Sequence, residues 1–161
     1  MRASLLSVLL LLSLAGCSGG ADLTAVQVAG RYAFTELTLD PVSDAVDDVD
    51  LLDDRVPDDL TLLVREDGTV QLERLEDGER VESREVAARG SYTIDGDRLR
   101  VRFDRALPDY FLPREITFEA GDERLSADVP YEGVDLEEIS DDFEGVTRAD
   151  VVVRIRLREI G

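Results

Sequence analysis

Gly90-Ser91-Tyr92-Thr93-Ile94-Asp95-Gly96-Asp97-Arg98-Leu99-Arg100-Val101-Arg102-Phe103 is the stretch that decides the fold. Its second half alternates without a break, with Leu99, Val101 and Phe103 facing one way and Arg98, Arg100 and Arg102 the other. A period of two belongs to an extended strand, and an apolar row against a charged row belongs to a sheet with one dry face and one wet face. Asp95-Gly96-Asp97 supplies the turn, because Asp-Gly between alternating apolar residues is a strong short-range hairpin signal.

The same signal recurs on both sides. Upstream, Gly30 to Leu39 sets Tyr32 and Phe34 on one face and Ala33, Thr35 and Leu37 on the other. Leu60, Leu62 and Val64 run into Glu66-Asp67-Gly68, and Val70 and Leu72 leave it. Asp77-Gly78 marks another turn, followed by a less regular stretch from Val81 to Ala88. Downstream, Ile116 and Phe118 form a strand, Gly121-Asp122 a turn, and Leu125, Ala127 and Val129 the next strand. The last runs from about Asp150 to Glu159, with Val153, Ile155 and Leu157 opposed by Arg154, Arg156 and Arg158. About eight strands joined by short turns predict an all-β fold, a single antiparallel up-and-down barrel, since closing a meander removes its exposed edges. Two stretches break the pattern. In Ser43 to Arg55, Val46, Val49 and Leu52 recur every three residues, as in a short helix capped by Ser43, and Val134, Leu136, Ile139 and Phe143 are spaced in a similar way. Each reads either as a lid over a barrel mouth or as an irregular acidic loop.

Arg2 followed by an apolar run from Leu5 to Leu14 makes a positive region and a core too short to span a bilayer, which takes roughly 20 residues. The run ends in Leu14-Ala15-Gly16-Cys17, which resembles the lipobox of bacterial lipoproteins. That resemblance implies removal of residues 1–16, lipidation of Cys17 (palmitate and related acyl chains), a tether over 17–28 and a barrel domain over 29–161. More than one acyl chain gives stable anchoring to a membrane. Ser18 after the cysteine resembles an outer-membrane rather than an inner-membrane address in Gram-negative sorting. Cys17 is the single cysteine, so the exported domain has no disulfide, thiol nucleophile or thiolate ligand.

About 145 residues remain after cleavage, enough for one domain with a real core. With 37 acidic residues against 18 basic ones, all arginine, the net charge is −19. Such a surface repels nucleic acid and anionic headgroups and fits the solubilising surface of a salt-loving organism. The acidic clusters at Asp44, Asp47, Asp48, Asp50, Asp53 and Asp54, and at Glu137, Glu138, Asp141, Asp142 and Glu144, could offer oxygens to calcium. They lack the spacing of an EF-hand loop, and solvated loops without metal are the expectation.

The layout from Gly30 to Glu159 resembles the lipocalin-like domains of bacterial lipoproteins, within the calycin group. Gly30-Arg31-Tyr32 stands where lipocalins carry glycine, any residue and tryptophan, with tyrosine as a departure. Asp67-Gly68-Thr69-Val70, Gly90-Ser91-Tyr92-Thr93-Ile94 and Gly96-Asp97-Arg98-Leu99 look like that group's repeated hairpins. The resemblance implies that an arginine of the last strand, Arg154 or Arg156, packs across the Tyr32 ring.

Chemistry is mainly excluded. Histidine and lysine are absent, which removes the commonest general base, a Ser-His triad, a Schiff base and a Ser-Lys dyad. Paired carboxylates are expected by chance among so many acids. The expectation is therefore a non-enzymatic, cofactor-free envelope protein whose barrel binds a small apolar ligand, lined by Tyr32, Phe34, Phe103 and Phe118. Leu107-Pro108-Asp109-Tyr110-Phe111-Leu112-Pro113 is a second candidate contact, because large apolar residues sit between two prolines in a connection. Tyr110 and Phe111 either form an exposed flap at the mouth, touching a ligand, an envelope protein or lipid, or fold inward as a plug. The alternative function is a structural or assembly lipoprotein with a filled barrel that acts through its outer surface.

Overall fold

The computed structural model describes residues 23–43, 47–54, 60–76, 83–139 and 143–161. Cys17, the leader and the first half of the tether lie outside the described residues. Among the described residues nine strands follow in chain order: β1 Gly30–Pro41, β2 Val49–Asp50, β3 Leu60–Val64, β4 Thr69–Glu76, β5 Ser83–Asp95, β6 Arg98–Phe103, β7 Glu115–Gly121, β8 Arg124–Val134 and β9 Ala149–Glu159. Each strand from β3 to β9 pairs antiparallel with the next, β1 pairs with β3, and β1 also pairs with β9. That last ladder closes an eight-stranded antiparallel barrel, with β2 as an extra short strand beside the second half of β1.

The deciding hairpin forms as its pattern dictates. Tyr92 opposes Val101 and Ile94 opposes Leu99 across the Asp95–Arg98 pair, and Leu99, Val101 and Phe103 are buried while Arg98, Arg100 and Arg102 are exposed. The described part of the stretch read as 81–88 and the stretch 90–94 are one strand, because β5 runs from Ser83 through Gly90. A register shift opposite Leu72 and Glu73 absorbs an extra residue at Ala87 and produces the irregular apolar spacing that hid it. Glycine is needed at position 90, since a Cβ there would collide with the Arg102 carbonyl of β6.

β1 departs from its simple alternation. Tyr32 is buried, but so are Leu37 and Leu39, which have the opposite parity. The register with β9 shifts between Phe34 and Glu36, so Thr35 is the extra residue of a bulge and everything after it is turned over. Leu37 therefore faces the core with Tyr32 rather than away from it. In the stretch from Ser43 to Arg55, read as a short helix or a loop, the described residues hold a single helical turn, Leu51–Asp54, preceded by β2, in which Val49 takes a strand position opposite Leu39. In the second irregular stretch β8 extends through Val134, and Leu136, Ile139 and Phe143 are buried from turns.

The connections sort by length. Residues 65–68, 96–97 and 122–123 turn tightly at one end of the barrel. The strand ends Pro41, Leu60, Glu76, Ser83, Phe103, Glu115, Val134 and Ala149, between which the longer connections run, lie at the other. The short-turn end is crossed by the N-terminal segment, where the Leu23 amide donates to the Gly96 carbonyl at 3.1 Å and the helical turn Ala25–Val28 buries Val28.

Candidate functional site

The barrel interior comes first, because a ligand pocket was expected there. Tyr32, Phe103 and Phe118 are 2–3 % exposed and belong to one hydrophobic cluster that takes in the inward rows of the barrel strands. A cavity able to hold a ligand would leave its lining reachable by a water-sized sphere, whereas Leu37, Leu39, Val70, Leu72, Leu99, Val101, Val153 and Ile155 are 0 % exposed. Phe34, just before the bulge, is half-buried and packs against the cluster from its margin.

Both ends are tied down by tyrosine hydroxyls. Tyr32 donates to the Val28 carbonyl at 3.0 Å and Tyr92 to the Arg65 carbonyl at 2.8 Å, both at the short-turn end. Burial, with the nearby carboxylate of Glu159, pushes the Tyr32 phenol up to about 12. At the long-loop end Tyr131 of β8 donates to the Phe111 carbonyl at 2.9 Å, and burial raises its phenol to about 12 as well.

The Leu107–Pro113 segment lies between the two arrangements considered for it, a flap whose aromatic residues are neither fully exposed nor inside the barrel. Leu107 and Leu112 pair backbone to backbone and are buried at 6 % and 2 %. Between them Pro108–Tyr110 makes one 3₁₀ turn and Phe111 takes the left-handed conformation, with φ 52. Tyr110 and Phe111 are half-buried, packed against the core but not inside it. The two leucines anchor the flap; the sequence drew the eye to the aromatic pair because of its size. Together with Leu51, Leu136, Ile139 and Phe143 they cover the long-loop end with apolar side chains.

The outer wall carries the charge. Arg154 and Arg156 point outward and do not cross the Tyr32 ring: Arg154 is paired with Asp40, and Arg156 with Asp128 at 2.7 Å. The strand partner of Tyr32 on β9 is Glu159, and the inward places beside it belong to Ile155 and Leu157. Arg31 of β1 is held by Glu73 and by Thr61 at 3.2 Å, on the outward side of β3 and β4, where Glu73 is only 5 % exposed. At the β3–β4 turn, Thr69 donates to Asp67 from its amide and its hydroxyl, and these bonds hold the Asp67 carboxyl below its ordinary value. No group of three or more carboxylates able to hold a metal ion occurs among the described residues; Asp44, Asp141 and Asp142 lie outside them.

Concavities open on the outside of the wall. One of about 500 Å³ lies beside the flap, between Arg74, Glu85, Arg105 and Tyr110, and another of about 300 Å³ lies between β7 and β8. No protein-family model matches this chain, and no curated protein matches it.

Proposed function

We propose that this chain is a lipid-anchored protein of the bacterial cell envelope, with a lipocalin-like barrel that works without catalysis and through its outer surface. The observation that carries this reading is the packing of Tyr32, Phe103 and Phe118, at 2–3 % exposure, in the place a ligand would need. A calycin-type barrel that binds an apolar molecule must leave an apolar cavity inside, typically of about 300 Å³ or more. Here the space is taken by side chains, and the long-loop end is covered by leucines. The anchor rests on Leu14-Ala15-Gly16-Cys17 and the apolar run before it. The N-terminal segment reaches the barrel at the short-turn end, so a lipid on Cys17 would leave the long-loop end facing away from the bilayer.

A fluorescent fatty acid titrated into the protein tests the filled interior. No saturable signal is the expected result; one-to-one binding displaced by palmitate would return the function to ligand carriage. Labelling cells with a radioactive fatty acid tests the anchor, and Cys17→Ser should abolish incorporation.

A further inference from the structure

Among the described residues the shortest ladder of the barrel wall lies between β7 and β8, and it leaves a seam. β8 and β9 are matched at nine positions, but β7 and β8 at only three: Glu119 with Ser126, Ala120 with Leu125, and Gly121 with Arg124. Both strands continue well past this zipper, β7 back to Glu115 and β8 on to Val134. In an antiparallel ladder a residue's N–H and C=O point to the same side, and successive residues alternate. The Ala120 amide donates to Asp97 and the Arg114 carbonyl accepts from Phe103, so the even-numbered residues of β7 face β6. Glu115 and Thr117 consequently turn their backbone groups toward β8, past the end of the β7–β8 ladder. On β8 the Ser126 match fixes the opposite phase: Asp128 and Pro130 face β7 and are likewise unmatched on that side. Pro130 has no N–H, and it occupies a place where the β8–β9 ladder asks for none, as proline does at strand edges. The concavity of about 300 Å³ lies at this seam, lined by Arg98, Thr117, Glu119, Ser126, Asp128 and Arg156.

We infer that the seam between β7 and β8 is a docking site for an extended, positively charged peptide segment, taken up by strand addition. The inference rests on the reading of the barrel as an outer-surface interaction module and gives that surface an address. Main-chain bonds to Glu115, Thr117, Asp128 and the Pro130 carbonyl supply the attachment, in the way exposed sheet edges accept a strand. Charge selects the partner. The outward side chains of a segment lying in the seam fall between Glu115 and Glu119 on one side and Asp128 on the other. Glu115 is 3.9 Å from Arg100, and Asp128 is met by Arg156, whereas Glu119 lies opposite Arg98 of β6 without an ion pair between them, leaving its carboxylate open to a cation. The whole chain, at −19, draws cations toward it from a distance. Ile116 and Phe118 are 2 % exposed, so the core beneath the seam is already sealed and the segment's inward side chains must be small.

The test uses the full chain and a synthetic peptide of about ten residues, near the usual upper length of a strand, alternating lysine with alanine. Two companions are needed: one with glutamate for lysine, and one N-methylated at every second backbone nitrogen. Hydrogen exchange reports where the peptide sits. The expected result is saturable binding of the lysine peptide, at least tenfold weaker binding of both companions, and at least tenfold slower exchange of the Thr117 and Asp128 amides in the complex. Equal binding of the N-methylated peptide would mean mere adhesion to an acidic surface and would overturn strand addition. So would protection confined to other strands, or no binding at all. Because the N-methyl groups are on the ligand, the protein's own folding does not enter the comparison. Thr117→Pro, which removes one seam-facing N–H, should weaken binding at least tenfold while the exchange of β6 amides stays unchanged. Uptake of a fatty acid inside the barrel would instead sink the reading on which the inference rests.

Discussion

Leu112→Ala should unfold the barrel more readily than Phe111→Ala, although phenylalanine is the larger side chain. Leu112 is 2 % exposed and anchors the flap over the long-loop end, and truncating a buried leucine costs about 2 to 5 kcal/mol. Phe111 is only half-buried, so it should lose roughly half of the 3 to 5 kcal/mol of a fully buried aromatic, about 2 kcal/mol. Its backbone adds a second handle. At φ 52 an L residue bears about 1 to 2 kcal/mol that glycine does not. Phe111→Gly removes the same ring but relieves that conformation, and should end about 1 kcal/mol more stable than Phe111→Ala. For a domain of this size 1 kcal/mol moves the melting temperature by roughly 3 to 6 °C. Thermal unfolding followed by circular dichroism, on the chain lacking Met1 to Cys17, should therefore rank the variants as Phe111→Gly, Phe111→Ala, Leu112→Ala in falling stability. A larger loss for Phe111→Ala than for Leu112→Ala would make the aromatic ring the true plug. Glycine no better than alanine would mean that the left-handed turn is not held in solution.

Melting temperature should rise between low and molar salt, because screening relieves repulsion within a chain of net charge −19; a flat or falling curve contradicts this. Glu73→Ala strands Arg31 beside Thr61 and should cost about 1 to 3 kcal/mol in urea unfolding, with Glu73→Gln losing less because it keeps a hydrogen-bond acceptor; equal losses would mean that the polar contact is not what matters. Gly90→Ala should destabilise by more than the few tenths typical of a surface change, since β6 must move aside, and a neutral effect in the same assay would refute the close approach. Tyr32 and Tyr131 are raised from 10.0 to about 12 in the folded state, so their contribution is complete below pH 10 and is lost as pH climbs from 10 through 12. Burial raises the Tyr92 phenol too, so an ultraviolet titration should show at least two of the four tyrosines ionising late and only with unfolding; ionisation of all four near pH 10 with the fold intact would disprove their burial.

The barrel was legible wherever one strand's alternation was self-sufficient. Arg98 to Phe103 and Val153 to Arg158 declare their faces residue by residue, and each has the predicted side buried. The bulges were not legible, because an extra residue at Thr35 or Ala87 is defined against the partner strand and leaves no mark in its own sequence. Val46, Val49 and Leu52 at every third residue fit a short helix or an irregular loop equally, and only the pairing of Val49 with Leu39 decides for a strand at that position. The resemblance placed an arginine over Tyr32, yet strict alternation in β9 already sent Arg154 and Arg156 outward. In the flap the bulkier residues attracted the assignment that belongs to Leu107 and Leu112. The seam depends on where two strands diverge, which no single strand encodes; the one hint in the sequence was Pro130, a residue without an amide inside a strand pattern.

The ladder between β1 and β9 also sets the order in which this protein can become itself. Thr35 and Arg156 meet across 121 positions of chain, and until they do, β1 and β9 are two bare edges. The hairpins from β3 to β8 can zip locally within microseconds, but closure must wait for the last strand to be delivered, and non-local pairing of this kind slows folding. A chain fed through a membrane from its N-terminus would thus hold the β9-facing edge of β1 unmatched for most of its passage. Bulged at Thr35 and with Glu36, Asp40 and Arg31 along its outward side, that strand is a poor template for a stray neighbour during the wait.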